Sequence, residues 1–463
     1  MTPSAALNFL WQTAGGEPDA LDVVRFVRPQ AQLPSVFDVG SLAASTIAAQ
    51  ALAAAELWRL RGGTRQTVEV DVRRALAMFR SERYLTVDGK PPEDIRDPLT
   101  GFFQAGDGRW IQLHANFPHH RAGIVRVLQC DDNKPAVAAA IACWNAADLD
   151  ARLAEAGMCS ALIRTPDEWR VHPQAVALAD LPLFEITRIG DAPPQASADA
   201  AAAPRPLAGV RVLDLSRVIA APVAGRTLAQ HGADVLAISA PHLPNIAPLV
   251  IDNGRGKRSA LIDLRGSDGR ACLAALAREA DVFLQAYRPG ALAAQGFSPQ
   301  ELCAQRPGLI CVSLSAYGHV GPWKERRGFD SLVQSATGIA WEEGQAAGSP
   351  GPGRLPCQAL DHATGYLAAF GTMMALQRRA REGGSWLVRV SLAQTGRWLQ
   401  SMERIANGLQ MPDLGRDEIK PWLQQMASPF GTVSAVAPVE QMERTPPHFD
   451  LPPVPLGTDD ARW

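Results

Sequence analysis

Apolar residues in the second half of the chain fall into short runs: VRVLDL (210–215), DVLAIS (234–239), SALIDL (259–264), DVFLQAY (281–287) and LICVSLSAY (309–317). Between them lie stretches with helical spacing, from Pro222 to about His231, then SDGRACLAALAREA and SPQELCAQ. The last opens on Ser298-Pro299-Gln300-Glu301, a capping box with proline at the first helical position. Short apolar strands alternating with helices predict an α/β fold, a doubly wound parallel sheet covered on both faces. Such sheets bind ligands at the carboxyl ends of their strands. The loop SRVIAAP after the first strand is therefore a candidate binding loop, and its lack of GxGxxG argues against NAD or FAD.

The first half has a different rhythm. LAASTIAAQALAAAELWRLR (42–61) reads as a helix leading into TVEVDV, and TGFFQAGDGRWIQLHA reads as a hairpin with a Gly-Asp-Gly turn. NAADLDARLAEAGM follows, then TPDEWRVHP, where Thr165 to Glu168 form a second capping box. This pattern predicts a smaller α+β module over 1–190, separated from a module over 207–463 by the Ala/Pro-rich linker DAPPQASADAAAAPRP (191–206). RLRGGTRQTVEVD (59–71) and RAREGGSWLVRVS (379–391), each after its own helix, form a weak internal echo.

A length of 463 residues fits two or three modules, and a 47% apolar fraction can fill their cores. The formal net charge of −2 and the absence of any Lys/Arg tract exclude nucleic acid and anionic membrane surfaces as expected partners, leaving small molecules. MTPSAALNFLWQTAGG lacks the basic region and apolar core of a signal peptide, and no run of about 18 apolar residues occurs, so a cytoplasmic protein is expected. Seven cysteines without a CxxC pair fit reduced thiols, and no metal is expected. HANFPHH (114–120) clusters three histidines without a partnering Cys or acid pattern.

CQALDHATGYLAAFGT (357–372) places Asp361 ahead of Gly365, Tyr366, Leu367 and Phe370 at helical spacing. By spacing alone, Asp361 reads as an N-cap that accepts hydrogen bonds from the first turn.

PLAGVRVLDLSRVIAAPVAGRTLAQHGADVLAI, NGRGKRSALIDLRGSDGRACLAALAREADVFLQAYRPGALAAQGFS and SLSAYGHVGPWKERRGFDSLVQSATGIA, in this order, resemble the class III CoA-transferase family from 206 to about 397. That family includes formyl-CoA and carnitine CoA-transferases and the related alpha-methylacyl-CoA racemase. The GG-x-VEV segment, the DGRWIQL hairpin and AGMCSALIRTPDEWRVHPQ resemble its middle and end, so the modules stand in permuted or fused order. The resemblance implies a Rossmann-like sheet, a possible homodimer, and acyl-CoA and carboxylate substrates, with coenzyme A as substrate and no permanently bound cofactor.

It also implies site residues. Asp361 falls at the position of the family's nucleophile, which forms an acyl anhydride and then an aspartyl-CoA thioester, and a carboxylate with an ordinary pKa of about 3.9 is ionised at neutral pH. Arg217 and Ile219 in the first loop, Arg255 and Lys257 in NGRGKRS, and Arg288 and Pro289 in YRPG match positions lining the CoA site. Asp330 in RRGFD is the rival acid, expected to cap a helix or pair with Arg326 or Arg327. The racemase branch carries a histidine where this chain has Phe329, and a phenyl ring exchanges no proton. Ile219 replaces a glutamine that in the family contacts the reacting acyl group, and Ala237 and Ser239 replace a Lys and a Glu expected near the adenosine. Those departures imply either a less polar acyl group or a catalytically weakened CoA-binding protein.

Overall fold

In a computed structural model, residues 1–92, 96–195, 201 and 204–463 are described. Residues 196–200 and 202–203 of the expected linker lie outside them. The central sheet has seven strands: β1 (Phe184–Gly190), β2 (Arg211–Leu215), β3 (Asp234–Ser239), β4 (Lys257–Leu261), β5 (Val282–Gln285), β6 (Ile310–Ser315) and β7 (Ser385–Ser391). Their spatial order is β4-β3-β2-β5-β6-β7-β1, parallel from β4 to β7, with β1 antiparallel at the edge. The order reverses between β2 and β5, where chains leaving toward opposite edges open a crevice at the carboxyl ends. Successive strand residues face opposite sides: Val212 joins a large core on one face, and Leu213 a second core with Ile238 and Phe283 on the other.

Five helices matter for the site: α1 (Val39–Leu60), α2 (Ala220–Gln230), α3 (Ala247–Gly254), α4 (Asp330–Ala336) and α5 (Ala359–Glu382). α1 and α5 are buried around nearly their whole circumference and pack on each other. Alanine and glycine permit that approach, as where Gln377 Nε2 donates to the Ala53 carbonyl at 3.2 Å.

The boundary expected at 190 does not divide the hydrophobic core. Trp11 stacks on Phe370 with ring centroids 5.9 Å apart, and β1 pairs with β7 although it precedes the linker. The body with a core of its own is smaller: the hairpin Gly101–Gln104 and Trp110–Leu113, the strand Ser160–Leu162 and helices between them, around Phe103, Ile111, Ile124 and Leu149.

The internal echo has a structural counterpart. α1 is followed by Gly62-Gly63, the strand Val68–Asp71 and the helix Val72–Met78, and α5 by Gly383-Gly384, β7 and the helix Leu392–Ser401. Each unit opens on an aspartate, Asp38 or Asp361. Asp38 caps its own helix, accepting from the Ser41 N–H at 2.8 Å and from Gln32 Nε2 at 2.7 Å.

Candidate functional site

A cleft of about 600 Å³ opens at the carboxyl ends of β2, β5 and β6, within the size range of small-molecule sites. Arg217, Ile219, Arg288, Pro289 and Asp361, five of the residues singled out in the sequence, line it together. Asp361 supplies the one carboxyl group among its described lining residues, against the five cations Arg217, Arg288, Lys324, Arg326 and Arg327.

Asp361 is the third residue of α5 and only 7% exposed. It does not cap its helix. That task falls to Asp330 at the start of α4, whose Oδ2 accepts the Asp361 backbone N–H at 2.9 Å while Gln334 Nε2 donates to its Oδ1. Asp330 makes no ion pair with Arg326, which is held by Asp150 at 2.6 Å. Burial raises the Asp330 carboxyl to about 6, against the pull of the Asp361 N–H and the Gln334 amide. Burial, and then the charges of Asp330 and Glu82, push Asp361 well above the ordinary carboxylate range. The unperturbed pKa expected for Asp361 is therefore corrected upward.

Gly365 fixes the direction in which Asp361 points. One turn later on the same face of α5, it lies so close to α2 that an added Cβ would sit 2.3 Å from the Ala220 carbonyl oxygen. Asp361 thus faces the first turn of α2, which no side chain caps. His362 takes another direction: it stacks on Phe79 at 5.3 Å, with Nε2 3.3 Å from Glu82 Oε2.

The loop from β2 to α2 carries two local signs of a binding site. Val218 adopts φ +74°, a region that a β-branched residue enters at a steric cost, and Asn253 Nδ2 holds its carbonyl at 3.0 Å. The Arg217 guanidinium lies over the Phe117 ring at 5.5 Å, and its Nη1 is buried without a hydrogen-bond partner. Burial lowers the Arg217 pKa, so an anion entering the cleft would gain strongly from that donor.

Arg255 and Lys257 are elsewhere. Arg255 is 1% exposed, with Nη2 on Asp252 Oδ1 at 2.7 Å and Nη1 on the Val436 carbonyl at 2.6 Å, so its donors hold the fold together. Lys257 Nζ is buried against Asp214 Oδ2 at 2.7 Å and the Pro222 carbonyl at 2.8 Å, in a chamber beside the cleft. Neither lines the cleft, for the same reason in both cases: a buried partner already takes the cation.

The body built around the hairpin contributes Phe117, His119, His120 and Cys159 to the cleft. His120 is pushed down to about 3 by burial, and Cys159, 3.7 Å from its Nε2, is raised to about 12, so both are neutral. His114 stacks flat on Phe329 with centroids 3.7 Å apart. The sequence signal for this wall is HANFPHH, whose rings gather around Phe329. All seven cysteines are free thiols, and among the described residues no helix is long and apolar enough to cross a membrane.

Residues 207–432 match the family described as CoA-transferase family III. Among curated relatives, an acyl-CoA transferase of Gibberella moniliformis is 29% identical over 73% of this chain and 66% of its own length. The "Probable fatty acyl-CoA transferase" of Mycobacterium tuberculosis is 36% identical over 42% of this chain and 53% of its own. A succinyl-CoA–D-citramalate CoA-transferase of Chloroflexus aurantiacus is 32% identical over 41% of this chain and 50% of its own. The chain thus spans between about half and two thirds of these relatives' lengths. The matched segment carries Arg217, Arg288 and Asp361 of the cationic cleft at the reversal of strand order, and over residues 207–432 the chain is similar to CoA-transferase family III.

Proposed function

We propose that the chain transfers coenzyme A between an acyl thioester and a carboxylic acid, with Asp361 as the covalent nucleophile. The observation that carries this reading is the isolation of the Asp361 carboxyl in a cleft whose charged lining, among the described residues, is otherwise cationic, with no second carboxyl group. Four of the five cations, Arg217, Arg288, Lys324 and Arg327, suit the phosphates of coenzyme A, Arg326 being held by Asp150, and Arg217 offers them an unpaired buried donor.

In the first step an Asp361 carboxylate oxygen attacks the thioester carbon, the carbon–sulfur bond breaks, and CoA thiolate leaves behind a mixed anhydride. The thiolate then attacks the Asp361 carbonyl carbon of the anhydride, releasing the first acid and forming an aspartyl-CoA thioester. The acceptor carboxylate repeats both steps in reverse and restores Asp361. The uncapped first turn of α2, which Asp361 faces, supplies N–H groups and the positive end of the helix dipole to the developing oxyanions. Desolvation raises the energy of the carboxylate before attack.

Hydroxylamine added during incubation with an acyl-CoA tests the proposal. An Asp361 hydroxamate located by peptide mass spectrometry, absent in Asp361→Asn, is the expected result. CoA binding without any covalent adduct would instead favour a CoA-binding protein that has lost transfer, and solvent deuterium entering alpha to the thioester without adduct would favour racemisation.

A further inference from the structure

Beside the cleft, and sharing Phe117, Ser216, Arg217, Val218 and Pro244 with it, lies a second chamber of about 80 Å³. Its walls are largely apolar: Ile238 at the end of β3, Ile246, Leu249 and Val250 at α3, and Val454 and Leu456 from the C-terminal tail. The tail is fixed there by main-chain bonds along the edge strand β4. Gly256 N–H donates to the Leu451 carbonyl at 2.9 Å, and Asp459 N–H to the Ser259 carbonyl at 2.8 Å. Ser259 N–H returns a bond to Asp459 Oδ2 at 2.7 Å. The tail thus covers an otherwise open sheet edge and closes the chamber.

Of the four charged groups among the described residues that line the chamber, three are engaged by other groups, and the fourth, Arg217, is shared with the cleft. Lys257 and Asp214 satisfy each other at 2.7 Å, and Arg258 is clamped on Asp234 at 2.8 Å. Besides Arg217 Nη1, one buried side-chain polar atom of the described lining lacks a partner. Asn253 is 4% exposed and donates through Nδ2 to Val218, while its Oδ1 is buried with no partner. A buried acceptor left in this state favours a ligand that brings a donor.

Away from Arg217, walls of this kind suit neither phosphates nor a free carboxylate. A water-sized group needs roughly 10–15 Å³ in the same measure, so the chamber holds roughly five to eight such groups, the size of a short acyl chain. We infer that this chamber receives the acyl chain of the thioester substrate, and that it favours a short apolar chain carrying a hydroxyl group that donates to Asn253 Oδ1. The inference rests on the CoA-transfer reading of the neighbouring cleft.

Calorimetric titration of the full chain carrying Asp361→Asn, so that no thioester is consumed, tests it with free CoA, acetyl-CoA, butyryl-CoA and 3-hydroxybutyryl-CoA. Butyryl-CoA is expected to bind on the order of tenfold tighter than acetyl-CoA, from two further buried methylenes. 3-Hydroxybutyryl-CoA should gain about another threefold from the Asn253 acceptor. Leu456→Trp, which fills the chamber, should erase the butyryl preference and leave the affinity for free CoA unchanged, with Val454→Trp as a second filling variant should the first fail to fold. Equal affinities for acetyl- and butyryl-CoA, or a butyryl preference that survives both tryptophans, would overturn the inference. So would a parallel loss of free-CoA affinity, which would assign the chamber to the nucleotide end, or a 3-hydroxybutyryl-CoA that binds more weakly than butyryl-CoA. Absence of CoA transfer by the unsubstituted chain alongside the expected affinities would remove the reaction and leave the chamber standing.

Discussion

The Asp330 carboxylate accepts the backbone N–H of Asp361 at 2.9 Å, so one buried acid caps the helix that carries the other. This division of labour leaves the Asp361 side chain free to face the cleft. Its counterpart Asp38 caps α1 with its own side chain and is sealed by Gln32. An aspartate near the head of each of two similar units is structural in one, as the N-cap of α1, and faces the cleft in the other, as the third residue of α5.

The raised Asp361 pKa has a signed consequence for stability. The folded chain binds the Asp361 proton more tightly than the unfolded chain does. This contribution is therefore fully present below the unfolded value of about 4 and is lost as pH rises toward the raised folded value. Asp361→Asn, neutral and of the same shape, should raise Tm at pH 7 by at least about 2 °C and change it far less at pH 4. Calorimetry at the two pH values checks this, and an equal shift at both would contradict it.

Asp330→Ala should cost about 1–3 kcal/mol, because it leaves the Asp361 N–H buried without an acceptor. It also removes a charge that raises Asp361, so the rising limb of kcat/KM against pH for CoA exchange should move to lower pH. Asp330→Asn should retain more stability than alanine while moving the limb in the same direction. Denaturant melts and pH–rate profiles separate the two effects, and an unmoved limb would exclude electrostatic coupling.

Arg217 and Arg255 should respond in opposite ways. Arg217→Ala removes an unpartnered donor from the cleft and is expected to weaken CoA binding by about 2 kcal/mol, roughly thirtyfold in Kd, with little change in Tm. Arg255→Ala leaves Asp252 short of one of its two buried cations and should destabilise the fold by about 3–5 kcal/mol. Titration calorimetry and thermal melts on both variants measure the contrast. A stable Arg255→Ala chain with impaired CoA binding would restore the reading made from sequence.

Gly365→Ala should separate α2 from α5, since its Cβ would fall 2.3 Å from the Ala220 oxygen. A cost of about 1–3 kcal/mol is expected, with a fall in kcat greater than any rise in KM, because Asp361 moves relative to the first turn of α2. A variant with native Tm and native kcat would show that the two helices can shift freely.

Much of this was legible in the chain itself. Short apolar runs separated by helical spacing specified the parallel sheet, since strands buried on both faces need apolar residues at successive positions. Both capping boxes, at Ser298 and Thr165, form as the local sequence demands. The motifs around SRVIAAP, YRPG and LDHATGYLAAFG brought Arg217, Ile219, Arg288, Pro289 and Asp361 to one cleft.

Other features depend on contacts between residues far apart in sequence. The sequence could not assign Arg255 to Asp252 and Val436, or Lys257 to Asp214, because a cation reads the same whether solvent or a buried carboxylate meets it. Nor could it attach β1 to β7 across the linker, or bring HANFPHH against Phe329. Local pattern determined the strands, the helices and the presence of an acid at the head of α5, because these depend on neighbours within a few residues. Which acid caps, which acid faces the cleft and how far its pKa rises were decided by tertiary structure, because desolvation and long-range hydrogen bonds exist only once the chain has closed around them.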